Sequence, residues 1–582
     1  MRRMIVIMLM LLAGCASIAG REETQVALIH IGDIHGHMVA RPNLRSDSAG
    51  RMEGGLARMY TKIEELRARH PHHVLANTGD TIQGSAEALY TRGEALVNVL
   101  NAFAIDVYTP GNWEFVYGTQ RFLELFAGER PMAPWNTVAA NVYYDGEPYA
   151  ARSGQRVLPP YVVKTVGGVR IGFLGLTTDR GPQVVGRAVT RGFRFLRNTP
   201  DELDAEVSRQ VAQLRTVEKV DVLVMLSEMG VANNLRLAEK IPGIDVVLSS
   251  DMHEVTREPV VAKTGTLIVE EGQDGTVVGE LVLAVKAGKI ERWSWKSHRI
   301  DDSIPESARI AALVARERAS FVSGPQFKPH VNPFNGTALA RPIDAVVGHT
   351  QVALHRSNFS GEPMPAVIEG TAHDFLTDAF RAQANADVGA IRGFRYGTHV
   401  APGPIRMEDL YHFIPIGPMI AKGKVKGRQL RNQIEASADG SLNPDVARWT
   451  GGWLFNFSGL TLTLDPYGDS GKRTSDIRVL DRASGAYKPL DPEADYTYAS
   501  YFYRADPNLI NVVEAREIEV LQDANGRPLD GVEVVVRYLE SLPQRTANPE
   551  QNRIRLARPL PPPAFGSPEV QPWRGATRPA AP

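Results

Sequence analysis

Five short apolar runs, each followed by a polar side chain able to bind a metal, constrain the fold of this chain most. A short apolar run that stops at a turn residue is typical of a buried strand. Stretches with a helical period lie between the runs, for example residues 55–69. This alternation predicts an α/β layered domain, in which the strand ends gather at one edge where ligands bind. The runs are VALIHI, HVLANT, IDVYTP, DVLVMLS and IDVVLSS.

The side chains at the ends of these runs each offer a hard oxygen or an imidazole nitrogen to a cation. Alone, any of them would indicate only a turn or a helix cap. Because packed strands bring their ends together, we predict a site for two divalent cations, about 3.5–4 Å apart and bridged by one carboxylate. The predicted ligands are Asp33, His35, Asp80, Asn112, Glu228, Asp251 and His253.

The chain has 582 residues, which is too long for one hydrophobic core, so it should divide into domains of about 100–200 residues. We expect a first domain at residues 24–300, a linker at 301–340 and a second domain at 341–556. The linker pattern predicts a connecting helix over residues 303–321, capped by Ser303 ahead of Pro305. The proline-rich segment 557–582 should be disordered or polyproline-like.

Charge is nearly balanced, with 65 Lys and Arg against 66 Asp and Glu and a formal net charge of −1. Such a chain has no general electrostatic field that draws it to a nucleic acid polymer or to an acidic membrane. We therefore predict that no nucleic acid polymer is a partner and that any anion binding is local.

The first 20 residues indicate an export signal, with Arg2 and Arg3 before an apolar stretch at residues 4–12. Cys15 is the single cysteine, which excludes an intrachain disulfide. Its context resembles the lipobox of bacterial lipoproteins, which implies acylation of Cys15 and a periplasmic protein anchored to the membrane. Ala16 after the cysteine favours the outer membrane by the same resemblance. The alternative is a cleaved signal with a chance cysteine.

The order Asp-x-His, Gly-Asp, Gly-Asn-x-Glu and a final x-His resembles the calcineurin-like metallophosphoesterases, and specifically the 5'-nucleotidase family. The segment LTDAFRAQANADVGAIRGF is similar to the C-terminal substrate domain of that family. The resemblance implies a four-layer α/β/β/α domain, then an α+β substrate domain. It also implies a dinuclear metal-dependent hydrolase of phosphoesters that uses a metal-activated water, as in nucleotide catabolism.

By this resemblance the first cation would be held by Asp33, His35 and His253. Asp80 would bridge, and Asn112 would hold the second cation together with the residues at 228 and 251. Asp80 and Asn112 are thus the predicted catalytic positions as well as ligands.

In the first domain the sequence departs from the family at four positions. Glu228 and Asp251 stand where the family has histidines, which lowers the charge of the site by about two and favours manganese, magnesium or ferrous iron over zinc. We therefore expect two divalent ions, with manganese preferred. Trp113 and Val116 replace the histidine and aspartate that act on the leaving group, so that pair is missing.

A second resemblance concerns the sequence around Trp113 and residues 393–405, which is similar to the periplasmic dimanganese thiosulfohydrolase of bacterial sulfur oxidation. That enzyme cleaves a sulfur oxyanion from a carrier protein, and its thiolate leaving group has less need of a general acid. Arg392 matches the family arginine that holds the anionic end of the substrate, and Arg395 follows it. Trp113, Phe394 and Tyr396 are further predicted substrate contacts.

Three functions remain open at this point. The first is phosphoester hydrolysis by a monomeric lipoprotein acting on a small anionic substrate. The second is a thiosulfohydrolase-like activity on a carrier-protein arm. The third is a catalytically weak binding lipoprotein on the same scaffold.

Overall fold

The computed structural model describes residues 23–43, 50–197, 201–355, 364–365, 367–392, 399–451, 454–574 and 576. Four of the predicted functional residues lie outside these ranges: Cys15, Phe394, Arg395 and Tyr396. Within the described ranges, no helix combines the length and the apolar character needed to cross a membrane.

Two six-stranded sheets form the centre of the N-terminal domain. In each sheet four adjacent strands run parallel; the antiparallel strands lie on one side of these four in the first sheet and on both sides in the second. In spatial order the first sheet contains Lys289–Arg299, Val277–Lys286, Thr24–Ile31, His73–Asn77, Val107–Tyr108 and Asn136–Thr137. The second contains Val260–Val261, Leu267–Glu270, Val246–Ser250, Val222–Glu228, Val169–Leu176 and Tyr161–Val166.

The two sheets pack face to face through one apolar cluster, to which Leu28 and Val74 of the first sheet and Phe173 and Leu248 of the second contribute. Helices cover the outer faces, so the domain has the predicted four layers, α/β/β/α. The helix Leu56–Arg69 places Met59 and Ile63 on the first sheet, as its apolar spacing predicts. The other helices are Ala86–Thr91, Glu94–Leu100, Thr119–Phe122, Gly181–Val184, Glu202–Thr216 and Gly230–Lys240.

The linker helix is shorter than predicted and covers Ala308–Arg318. Its N-cap residue is Ser307, so the prediction that Ser303 caps it is wrong. Pro305 disfavours helical backbone at the residue before it, so the helix begins beyond the proline. The Ser303 hydroxyl instead donates to Asp301 at 2.5 Å.

The C-terminal domain is α+β, as predicted, and is built on a five-stranded, a four-stranded and a three-stranded sheet. In spatial order the first sheet contains Phe455–Ser458, Val388–Arg392, Asp495–Phe502, Met419–Lys426 and Arg516–Val520. The second contains Tyr487–Pro489, Thr474–Leu480, Leu460–Leu464 and Ile554–Leu556. The third contains Gly403–Arg406, Val346–Thr350 and Thr546–Ala547, and the helices are Thr371–Ala384, Met407–Phe413, Gly427–Leu442 and Gly531–Ser541.

Four short strand pairs lie outside the main sheets. They are Arg41–Asn43 with Arg51–Glu53, Val142–Tyr144 with Phe193–Phe195, His330–Val331 with Ala338–Leu339, and Leu509–Ile510 with Val513–Glu514.

The proline-rich tail returns to the N-terminal domain, so the expectation of disorder is wrong for residues 557–574. The Gln571 backbone N–H donates to the Glu254 carboxylate at 2.9 Å, and Gln571 Nε2 donates to the Ser441 carbonyl at 2.9 Å. Trp573 packs edge-on against Trp449, with ring centroids 5.9 Å apart. The tail is ordered because it contributes these aromatic and hydrogen-bonding groups to a junction of both domains. We refer to residues 557–574 as the returning tail.

Candidate metal centre

The strand ends of both sheets meet at one edge of the N-terminal domain, as the apolar runs predict. In the first sheet Ile31 is in register with Asn77, and Asn77 with Tyr108. In the second sheet Glu228 is in register with Ser250, and the Ser250 hydroxyl donates to the carbonyl of Thr78 at 2.8 Å. This bond joins the two sheets at the edge, so their polar turns face one another.

Five of the predicted ligands have a left-handed backbone: Asp33 (φ 44°), His35 (45°), Asp80 (49°), Asp251 (85°) and His253 (55°). Residues other than glycine adopt this conformation rarely, at a cost of about 1–3 kcal/mol each, and they concentrate at functional sites. The strand ends therefore hold these residues in a conformation that local preference alone would not choose.

Four side chains form the first predicted cation position. Ligand atoms of Asp33, His35, Asp80 and His253 all lie within 4.8 Å of one another, and all four residues are buried. The Nε2 atoms of the two histidines are 3.0 Å apart, and Asp33 Oδ1 lies 3.8 Å from that of His35 and 3.7 Å from that of His253. Gln83 Oε1 lies 3.2 Å from Nδ1 of His35, which orients the ring with Nε2 towards the cluster.

The predicted second position is built around the Asn112 amide. Its Nδ2 atom lies 2.7 Å from Glu228 Oε1, 3.2 Å from Asp251 Oδ1 and 3.4 Å from Asp80 Oδ2. The structure thus brings together all seven predicted ligands. Asp80 faces both the first and the second predicted cation position.

The residues present fit divalent cations. Asp33 Oδ1, Asn112 Oδ1 and Glu228 Oε2 are buried and accept no hydrogen bond from any described residue. A buried acceptor without a partner costs about 1–3 kcal/mol, which a cation would offset. Burial and neighbouring carboxylates also raise the pKa of Asp33, Asp80 and Glu228 well above the usual range, so cations would replace protons here.

Glu114 fixes the turns that carry two of these ligands. Its carboxylate accepts hydrogen bonds from the backbone N–H groups of Asp80 at 2.9 Å, Thr81 at 2.7 Å and Gly111 at 2.6 Å. The turns that present Asp80 and Asn112 are therefore tied to one buried side chain, which explains the glutamate of the Gly-Asn-x-Glu motif.

Trp113 follows Asn112 and begins the 3₁₀ turn Trp113–Phe115. Its backbone N–H donates to Asp80 Oδ1 at 2.9 Å, and its side chain is 7% exposed. Val116, three residues on, is buried as well. These two positions supply apolar surface in place of a titratable pair.

Arg180 belongs to the site and is absent from the predicted set. Its Nη2 donates to Asp251 Oδ2 at 2.8 Å, its Nε lies 3.4 Å from Asp179 Oδ1, and its Nη1 donates to the carbonyl of Trp449 at 3.3 Å. Burial opposes its charge, but Asp251, Asp179 and Glu228 outweigh burial and raise its pKa. One positive charge therefore offsets part of the negative charge that replaces the family's histidines.

A signal for Arg180 was present in the sequence. The apolar run RIGFLGL occupies the strand Val169–Leu176, and Asp179 and Arg180 follow it as the other polar residues follow their runs. Arginine does not bind metal ions, so the pattern of metal-ligating residues at strand ends does not include it.

Arg392 reaches the same edge from the C-terminal domain, at the end of the strand Val388–Arg392. Its guanidinium donates to the carbonyls of Gln183 at 3.5 Å and Thr450 at 3.4 Å. Burial, and then the charge of Arg180, lower its pKa from the usual value. The two arginines are thus neighbours across the domain junction, which suits the binding of an oxyanion.

Comparison with known proteins agrees with this architecture. Residues 26–255 match the family model described as calcineurin-like phosphoesterase, and residues 346–508 match the 5'-nucleotidase C-terminal domain. Endonuclease YhcR of Bacillus subtilis is 24% identical over 568 residues, which are 93% of this chain and 41% of that protein. Snake venom 5'-nucleotidase of Gloydius brevicauda is 25% identical over 523 residues, which are 84% of this chain and 83% of that protein.

Two solved structures share the fold over most of the chain. A 5'-nucleotidase precursor from Thermus thermophilus has a TM-score of 0.73 and 21% identity, covering 92% of this chain and 100% of that one. The sulfate thiohydrolase SoxB from the same genus, solved with glycerol, has a TM-score of 0.74 and 20% identity. The match covers 92% of this chain and 97% of that one.

The two domain models, together with the convergent acidic and histidine ligands, place the chain among the metal-dependent phosphoester hydrolases. It belongs to the calcineurin-like phosphoesterases that carry a 5'-nucleotidase C-terminal domain.

Proposed function

We propose that the chain hydrolyses monoesters or anhydrides of phosphate, with Asp33, His35, Asp80 and His253 holding one cation. Asn112, Glu228 and Asp251 would complete a second position with Asp80. Divalent cations there would lower the pKa of water and stabilise charge on a phosphoryl oxygen. The observation that carries the proposal is the meeting of these seven side chains with Arg180 at one edge.

Arg180 and Arg392 are the residues that would bind the oxyanion. Both guanidiniums lie at the domain junction, and a planar fork matches two oxygens of a tetrahedral anion. Their carbonyl partners, Trp449 for Arg180 and Thr450 for Arg392, are adjacent in the C-terminal domain. The substrate would therefore lie between the two domains.

Trp113 bears on the choice of substrate. With buried Trp113 and Val116 at the positions where the family has its acid pair, no side chain there can donate a proton. Substrates whose leaving group departs without a proton, such as aryl phosphates and phosphoanhydrides, should therefore be cleaved faster than alkyl phosphates such as AMP.

The same observation favours the second candidate, cleavage of a carrier-bound sulfur oxyanion, because a thiolate leaves readily. The test is a substrate panel with manganese-reconstituted protein: nucleotides, aryl phosphates, phosphodiesters and S-thiosulfonates. Phosphate release from aryl phosphates is the expected result. Turnover of S-thiosulfonates alone would replace the first candidate with the second.

Metal stoichiometry separates both enzymes from a binding lipoprotein on this scaffold. We expect two manganese ions per chain by elemental analysis, because the all-oxygen second position disfavours zinc. Fewer than two ions after reconstitution would contradict a dinuclear mechanism.

We also propose that Cys15 is acylated and anchors the protein in the periplasm, at the outer membrane. The expected result is a lipid-modified N-terminal peptide by mass spectrometry and release of a Cys15→Ser variant from the membrane fraction. An unmodified wild-type protein would contradict the anchor and leave the enzyme proposals untouched.

A further inference from the structure

A cleft of about 410 Å³ opens beside the metal centre along residues 179–197. Four arginines line it, Arg187, Arg191, Arg194 and Arg197, against two aspartates, Asp145 and Asp179. These groups leave a formal charge of +2 in a chain whose net charge is −1. We call this feature the arginine cleft.

Much of this positive charge is available to a ligand. Arg194 donates to Glu202 at 3.1 Å. For Arg187 and Arg191 the described part of the chain offers no carboxylate within ion-pair distance, and both side chains are exposed. Two guanidiniums therefore face the solvent with their charge uncompensated.

The arginine cleft is continuous with the catalytic edge. Asp179 lines the cleft and lies 3.4 Å from Arg180 Nε, while Arg180 reaches Asp251. Gln183 also lines the cleft, and its carbonyl accepts from Arg392. Asp179 and Gln183 thus connect the cleft to the two arginines proposed to bind the oxyanion.

The backbone beneath the cleft is held by the fold. The strand Phe193–Phe195 pairs with Val142–Tyr144, and the carbonyl of Gly192 accepts from the Asp145 N–H at 2.8 Å. The Thr119 hydroxyl donates to the carbonyl of Arg191 at 3.1 Å. The backbone that carries Arg191 and Arg194 is therefore fixed, which lowers the entropy lost on binding.

We propose that the arginine cleft binds a second phosphate of the substrate, so that the preferred substrates are small molecules with two or more phosphate groups. All four cations of the cleft are arginines, whose forks pair with phosphate oxygens in two parallel hydrogen bonds. The inference rests on the proposed function, because the first phosphate is taken to bind at the metal centre. It assigns the cleft a role in substrate choice and none in the chemical step.

Direct binding tests the cleft independently of catalysis. Tripolyphosphate is titrated into metal-free protein at low salt, so that the probe cannot chelate a bound cation. We expect the double variant Arg187→Ala/Arg191→Ala to bind it at least about tenfold more weakly, because the variant removes two charged hydrogen-bond donors to phosphate oxygens. The matched control is Arg431→Ala, an exposed arginine on the helix Gly427–Leu442 of the other domain, which should leave the affinity unchanged.

Kinetics with manganese-loaded protein then tests the link to substrate choice. The double variant should raise KM for a nucleoside diphosphate several-fold while KM for p-nitrophenyl phosphate, and kcat for both, stay the same.

Equal tripolyphosphate affinity in wild type and double variant would overturn the cleft proposal even if phosphate is released normally. Arginine-dependent binding of tripolyphosphate without hydrolysis of any phosphate compound would overturn the proposed function. It would not overturn the role of the cleft in binding phosphate. Arginine-dependent binding of a 5'-phosphorylated oligonucleotide far tighter than that of tripolyphosphate would overturn the assignment to small molecules.

Discussion

Arg180 Nη2 lies 2.8 Å from Asp251 Oδ2, so one of the seven predicted metal ligands forms an ion pair within the protein. Arg180 also contacts the Trp449 carbonyl of the other domain. The pair therefore links the charge of the metal centre to the placement of the C-terminal domain. It also explains how two additional carboxylates are accommodated at a site proposed to bind an anion.

Replacing Arg180 separates substrate binding from metal binding. We expect Arg180→Ala to raise KM for p-nitrophenyl phosphate about 10–100-fold, because it removes a charged hydrogen-bond donor beside the oxyanion. Metal affinity should not weaken, since Asp251 is then released from its ion pair. Steady-state kinetics and calorimetric manganese titration measure the two effects. Arg180→Lys, which keeps the charge but not the fork, should lie in between, and a variant with normal KM and weaker metal binding would contradict this role.

Asp80→Asn should abolish hydrolysis and reduce bound manganese below two ions per chain. Loss of a side chain that only hydrogen-bonds to a metal ligand typically lowers metal affinity about 10–100-fold. Asp80 is itself a predicted ligand and faces both predicted cation positions. Asparagine tolerates the left-handed backbone of Asp80, so the fold should survive. The control is Asp476→Asn, an exposed aspartate with φ 47° that is remote from the site and should keep full activity.

Trp113→His alone should not convert the protein into an efficient AMP hydrolase. Val116 cannot orient the new imidazole, so the ratio of AMP to p-nitrophenyl phosphate turnover should change less than about twofold. The double variant Trp113→His/Val116→Asp supplies the missing carboxylate, and the ratio should rise there if the variant folds by circular dichroism. A large gain in AMP turnover by the single variant would show that a histidine at position 113 can act without an aspartate at position 116.

Manganese affinity should rise with pH. The pKa values of Asp33, Asp80 and Glu228 are raised, first by burial and then by nearby carboxylates, so protons compete with cations. In metal-free protein these groups contribute stability that is fully present below the ordinary carboxyl pKa of about 4 and is lost as pH rises through the raised values. The gain in Tm on adding manganese should therefore grow between about pH 5 and pH 8. A gain that is constant with pH would contradict the raised pKa values.

Local sequence pattern was enough to predict the strand ends and the polar side chains that meet there. Apolar periodicity places Asp33, Asp80 and Asp251 after strands, and parallel packing then requires them to meet. The two layers of helices and the α+β second domain came from resemblance to a family, and the domain matches agree with them.

Local sequence pattern could not predict contacts between segments that are distant along the chain. Arg180 and Arg392 lie 212 positions apart by their numbering, and nothing in either local sequence indicates that they become neighbours. The returning tail was misjudged for a similar reason. Its composition is typical of disorder, whereas its order depends on Trp449 and Glu254, whose positions only the folded structure reveals.

The bond between Glu254 and Gln571 also affects the order in which the protein can mature. Glu254 follows the predicted ligand His253, but its partner is 317 residues further along the chain. During synthesis the loop that carries His253 therefore emerges long before the segment that supports it. A nascent chain can assemble the sheets of its first domain early, yet the loop that carries His253 gains this support only after the second domain has been made.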